Sequence, residues 1–489
     1  MTTIWPTISE AVAHATRTAR APLVWDPAGH VLSRLAFGPT RASRASIAAH
    51  GITAWYRGQI AAATTYAGYA GNSRVAAEGP LLKQSPWDVR QYLKANGNEY
   101  GWDAMDQLTR VTLGLQTWSA AQLYETLVDF FSNHLNVANH NGDVWNTRHA
   151  YDRDVIRGHA MGSFTDMLLA SARSPAMLRY LNLAESTKYA VNENYGRELL
   201  ELHTVGLVYS EDDVKNAAKL LTGRTVDQYS NYTYRAGRHY VGPIRVLGFT
   251  HANSSTADGE AGGDALLRYL ASHPATAQRL AKRICQRYVS DRPSSALVSA
   301  VAKTYLANGT KILPMMATIL HSTEFWQSRG AKVRRPTENL VATIRVVGNP
   351  VSDMAKALQT LHWMSADVGH VPLDRPSPDG YPDVATSWRS SSALLSLWQQ
   401  HLGFADDWWD GFAKFDKRTL YGRTPATSGE AITLLTKRLT GMTFALPHRS
   451  ALQAFLGEPA ATPMAGSRLR WLLPPIVAII LDGPHHALR

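Results

Sequence analysis

One cysteine in 489 residues, Cys285, excludes an intramolecular disulfide and any cysteine-built metal centre. It lies in 280–288, whose helical spacing predicts a buried structural thiol rather than a nucleophile. Long apolar runs are missing as well. The longest, 471–481, is too short to cross a bilayer and is interrupted by Pro474 and Pro475, so no membrane span is expected. Gly68, Gly71 and Gly79 lack the Gly-Lys-Ser/Thr ending of a phosphate cradle. No Gly-x-Ser-x-Gly elbow appears, which removes that route to a serine nucleophile. Residues 1–11 lack a basic region followed by an apolar core, so no secretory leader is expected and the cytoplasm is the default compartment.

Positive charge is plentiful but has no long block. A net charge of +11 favours acidic partners such as polyanionic glycans, nucleic acid or anionic membrane. The densest basic run is Lys332-Val-Arg-Arg335, and the arginines otherwise stand beside acids, which reads as a solvated basic surface. No nucleic-acid module accompanies it.

At 45% hydrophobic and 18% charged residues the chain is a folded globular protein. Helical periodicity predicts helices over 42–63, 120–137, 152–172, 211–222, 274–288, 294–307 and 387–402. Ser210 with Asp213 fits a capping box, and Gly206 and Gly223 stand where left-handed terminating residues belong. Aromatic and branched residues around Ala236-Gly237 predict one small β-hairpin near 231–250. The expected architecture is all-α, a large multi-helical unit. Residues 1–330 form the main helical domain carrying a polar cleft, and 331–489 a helical layer packed on it. Two loops rich in small or acidic residues, 252–263 and 372–382, would be lids or mobile surface.

The most informative stretch is 192–206, Asn-Glu-Asn-Tyr-Gly-Arg-Glu-Leu-Leu-Glu-Leu-His-Thr-Val-Gly. At ~100° per residue, Glu193, Arg197, Glu201, Asn194 and Glu198 share one arc of about 140°. His203 falls on the opposite, leucine-lined side and reads as a packed core histidine. Two further helices concentrate polar groups: one ends in Asn133 and His134, the other carries Asp152, Asp154, Arg157 and His159. The short connection makes those two antiparallel neighbours.

Several of these segments resemble a large bacterial family catalogued only as domain of unknown function family 1800. The matching pieces are 30–39, 130–137, 156–164, 174–181 and, most strongly, 192–206 continued by Asp213-Val and Leu221-Thr-Gly-Arg224. Residues 372–388 resemble the family's late Gly-Trp-Pro segment, with Tyr381 in place of the tryptophan. The resemblance runs nearly the whole chain in the family's order. It implies a mostly helical fold and supplies no established reaction; many relatives are exported.

Acid–base work needs two groups whose surroundings push their pKa values apart. Glu193 and Glu198 on the crowded arc are the candidate catalytic carboxyls. Asn133, His134, Arg157, His159, Asn194, Tyr195 and Arg197 are the candidate substrate-binding groups. This set suits hydrolysis or elimination on a polysaccharide or other acidic polymer. A metal held by His134, His159, Glu193, Glu198 and the Asp152/Asp154 pair is a second chemical option, but no tight ligand spacing supports it. No metal and no cofactor are therefore expected. Asp374, Asp379 and Asp383 read as solvated loop acids. The competing class is non-catalytic: an assembly or export partner, or a glycan-binding scaffold, whose polar helix is a structural ion network.

Overall fold

The computed structural model describes residues 26–65 and 68–489, so the expectation about a leader at 1–11 lies outside the described residues. Helices dominate, and the described β-structure is limited to two small antiparallel hairpins. The largest hydrophobic core draws on residues from Val31 to Trp326, and a second on residues from Val346 to Leu481. Two smaller cores join Asp103–Trp118 to Met354–Asp367 and to Pro336–Val347. No described helix is long and apolar enough to cross a membrane.

Local signals set many of the boundaries. Ser210 and Asp213 form the capping box that starts Glu211–Leu221. Pro274 opens Pro274–Tyr288, where a missing N–H costs nothing. That helix buries Leu280, Ile284, Cys285 and Tyr288; each large apolar side chain contributes roughly 1.5–3 kcal/mol by leaving water. Burial pushes the Cys285 thiol up to about 12, as an inert structural thiol requires. Gly206 and Gly223 both take positive φ, +78° and +92°.

Elsewhere tertiary context overrides the pattern. The 42–63 helix is broken at Gly51, whose φ of +83° no helix accepts. The 152–172 helix divides into a π-helical segment, Tyr151–Arg157, and Phe164–Ser171, which the Ser163 side chain caps. The 387–402 helix begins later, at Ser391–Ala405, capped by Ser390. Pro474 and Pro475 do not break their apolar run, because Leu469–Asp482 continues through both.

The extended region is present, but as two hairpins. β1 (Arg224–Val226) pairs with β2 (Tyr232–Tyr234), and β3 (Ile244–Val246) with β4 (Phe249–His251). Ala236–Arg238 forms a 3₁₀ turn between them, where the aromatic pattern alone implied a hairpin tip. Most of the 252–263 loop beyond Asp258 belongs to the helix Gly259–Ala271.

The basic run at 332–335 is buried. Lys332 is 2% exposed and bonds Asp291 at 2.6 Å; Arg334 donates to the carbonyls of His486 and Leu488; Arg335 pairs with Asp129 and Glu338. Apart from Glu338, three residues on from Arg335, their acceptors come from distant parts of the chain, so sequence neighbours alone could not reveal the burial.

Candidate functional site

The polar stretch forms a short helix, Asn194–Glu198, that widens into a π-helical turn, Leu199–His203. Wide turns of this kind occur frequently at functional sites because they re-aim side chains. The segment closes through local bonds. Thr204 Oγ1 donates to the Leu199 carbonyl at 2.6 Å, and the Gly206 amide to the Leu200 carbonyl at 2.9 Å. Leu199, Leu200, Tyr195 and His203 point into protein, while Glu193, Arg197, Glu198 and Glu201 stay half-buried.

These groups do not act as one cluster. Arg197 turns to the next helix and holds both carboxylate oxygens of Glu211, at 2.8 and 2.7 Å, with Glu193 at 3.7 Å. Asn194 donates to Asn182 at 3.2 Å. The Tyr195 hydroxyl is buried without a partner among the described residues, and burial pushes its pKa up. Glu201 accepts a 2.6 Å hydrogen bond from the Tyr209 hydroxyl. Glu198 has no hydrogen-bond partner among the described residues. Burial, then Glu201 and Asp379, push its carboxyl above the usual range against the pull of Arg197.

His134 and His203 meet below this surface. His134 Nε2 lies 3.1 Å from the His203 carbonyl, which accepts its proton, and its ring lies parallel to Phe130. Neither ring nitrogen of His203 has a hydrogen-bond partner among the described residues. Burial holds both histidines neutral: His134 lies well below 6.5, His203 near 3, each lowered further by Arg279 and Arg283. His203 is thus the packed core histidine that its position on the helix implied.

Those two arginines are the residues sequence reasoning missed. They stand on Pro274–Tyr288 at i and i+4, and Arg287 continues the stripe. Arg279 Nε donates to the Leu202 carbonyl at 3.3 Å and is drawn by Glu201. Arg283 is half-buried and has no hydrogen bond or ion pair among the described residues. Burial and Arg279 push it down to about 10, while Asp383 and Asp379 pull it up. The repeat of arginine every fourth residue was the available signal.

The fourth wall is the 372–388 segment, which is tied down rather than free. The Tyr381 amide donates to Asn133 Oδ1 at 2.9 Å, and Asn136 donates to the carbonyls of Arg375 and Ser377. Asp374 bonds the His140 amide at 3.1 Å. Asp383 is not a solvated loop acid. Burial works against its charge, but Arg287, Arg335 and Lys332 together hold it below the usual range. Asp379, which lies 3.9 Å from Arg375, alone of the three acids acts electrostatically on both Glu198 and Arg283.

Arg157 and His159 stand apart from this ring. Arg157 is fully buried, bonded to Asp152 at 2.8 Å and Glu125 at 3.1 Å, with Tyr69 also on Asp152. It serves a buried ion network, in which Arg157 Nη2 and Asp152 Oδ1 keep no hydrogen-bond partner among the described residues. His159 is half-buried near Asp166, with burial lowering its pKa. No group of three or more candidate metal ligands occurs among the described residues.

Glu198, Glu201, Arg279, Arg283 and Asp379 therefore form an electrostatically linked ring drawn from three separate segments, whose arginines also act on the two neutral histidines. The fold and this ring define a helical protein whose signature helix meets a late acidic loop. The chain belongs to the family described as Protein of unknown function (DUF1800), which matches residues 30–488. No curated protein and no solved structure matches it.

Proposed function

We propose that the protein is an acid–base enzyme acting on an acidic polysaccharide or similar polar polymer, with Glu198 as the proton donor. The reading is carried by one observation: Glu198 is a half-buried carboxyl left without a hydrogen-bond partner among the described residues, beside Glu201 and Asp379. A carboxyl raised in this way keeps its proton to higher pH and can donate it to a leaving oxygen. Glu201, held by the Tyr209 hydroxyl, is the complementary carboxyl. Arg283, free of any carboxylate partner among the described residues, would take an acidic group of the polymer, with Arg279 beside it. Glu193 drops out as the acid in this reading, because it is spent on the Arg197–Glu211 pair.

That same pair favours the second reading, in which the polar helix is a structural network on a non-catalytic glycan-binding or assembly protein. Glu198→Gln separates the two. Turnover on a panel of acidic polysaccharides is expected from the native protein and at least 100-fold less from the variant, with unchanged folding. Turnover retained in the variant overturns the role of Glu198. No turnover by the native protein, with the polymer still bound, supports the scaffold.

A further inference from the structure

A cavity of about 450 Å³ is lined by none of the site residues inferred from sequence. Its volume lies within the ~300–1,000 Å³ of small-molecule sites. Three loops converge on it, and each contributes a non-glycine residue held at positive φ: Tyr100 at +76°, Asn182 at +60° and Ser230 at +63°. Asparagine adopts this conformation readily, whereas a bulky tyrosine does so only when its surroundings impose it, and such residues gather at ligand sites. The Tyr100 ring is 59% exposed and meets the edge of the largely buried Trp145 at 5.1 Å, forming an aromatic wall at the mouth.

The floor holds a cation of unusual setting. Arg179 Nη1 and Nη2 donate to Asn146 Oδ1 at 3.2 Å and Ser230 Oγ at 3.1 Å, two neutral acceptors. Asn146 in turn donates to Ser230 Oγ, so the guanidinium is fixed in place. It has no carboxylate salt bridge among the described residues, whereas Arg90, across the cavity, is neutralised by Glu99 at 2.8 Å. Burial and Arg90 lower Arg179, and Asp143 and Asp227 act on it only through space. Asp143, Glu185 and Asn182 supply further hydrogen-bonding groups on the walls.

We propose that this cavity binds one carboxylated sugar residue of a glycan. The carboxylate would pair with Arg179, hydroxyls would bond Asn182, Glu185 and Asp143, and the ring face would rest on Tyr100. Arginine suits a carboxylate because its planar fork gives two parallel hydrogen bonds. The Asn182–Asn194 bond connects the cavity to the first turn of the polar helix, so a bound chain would run toward it. The inference goes beyond the reading at Glu198 and stands without it, since it concerns binding alone.

Calorimetric titration of the full chain with trigalacturonate, maltotriose and inorganic sulfate tests this. Trigalacturonate is expected to bind at least tenfold more tightly than maltotriose, and Arg179→Gln to remove that preference. Tyr100→Gly supplies a variant that relaxes the backbone; it should keep or raise the melting temperature while weakening trigalacturonate binding several-fold. Equal affinity for maltotriose, binding unchanged in both variants, sulfate binding in place of the sugar, or no binding overturns the site. Turnover in Glu198→Gln reads the catalytic proposal, whereas the Arg179-dependent part of the trigalacturonate affinity reads this one, so the failure of either is distinguishable.

Discussion

His134 donates through Nε2 to the backbone carbonyl of His203 at 3.1 Å, and this bond ties the end of Gln122–His134 to the wide turn of the polar helix. Both imidazoles are buried and neutral. The unfolded chain takes up a proton at each near 6.5, whereas the folded protein does so only far lower, near 3 at His203.

Stability is therefore fully present above pH 6.5 and falls as the pH drops toward 3, by up to about 1.4 kcal/mol per pH unit for each such histidine. Urea midpoints followed from pH 7 to 4 should show this slope. His203→Leu should flatten it by about one proton; an unaltered slope would remove His203 from the acid response.

Removing Arg157 should be severe. Arg157→Leu leaves Glu125 and Asp152 facing each other in a dry site and should cost about 3–5 kcal/mol. Replacing all three by apolar residues of similar volume should recover much of that loss. Chemical denaturation of the single and triple variants measures both.

Glu198 and Arg197 should respond differently from Arg157, because both are partly exposed. Glu198→Gln removes repulsion from Glu201 and Asp379 without breaking a hydrogen bond, so stability should hold or rise slightly. Arg197→Gln forfeits a solvent-screened surface pair with Glu211 and should leave stability nearly unchanged. A loss above 2 kcal/mol in either variant would reassign these residues to the fold.

Gly380→Ala tests the docking of the late loop. Gly380 has φ +71°, and a Cβ there would stand 2.1 Å from the Asn133 carbonyl oxygen. The loop should lift and destabilise the protein by roughly 1–3 kcal/mol. Amide exchange at 377–383 should speed up, and unchanged protection would show that the contact does not hold the loop.

The helical class, the capping box at Ser210, the start of Pro274–Tyr288 and the left-handed Gly206 were legible because each depends on residues within one or two turns. The same locality explains the misplacements. Strand partners of Tyr232–Tyr234 lie upstream, and Ser163 ends the 152–172 pattern by offering its own cap. The polar arc at 192–206 was visible, but its assignment was not. Arg197 pairs with Glu211 on the next helix, and Arg157 with Glu125, partners the local pattern does not reveal.

The sequence by itself determined that this is a helical member of its family and where its polar groups concentrate. Only the tertiary structure decided which of those groups remain free. Burial selects partners by distance in space, so Lys332, Arg335 and Asp383 vanish into a network while Glu198 and Arg283 are left unpaired among the described residues. A charge is available for chemistry only when folding has not already matched it, and that matching is a long-range property of the fold.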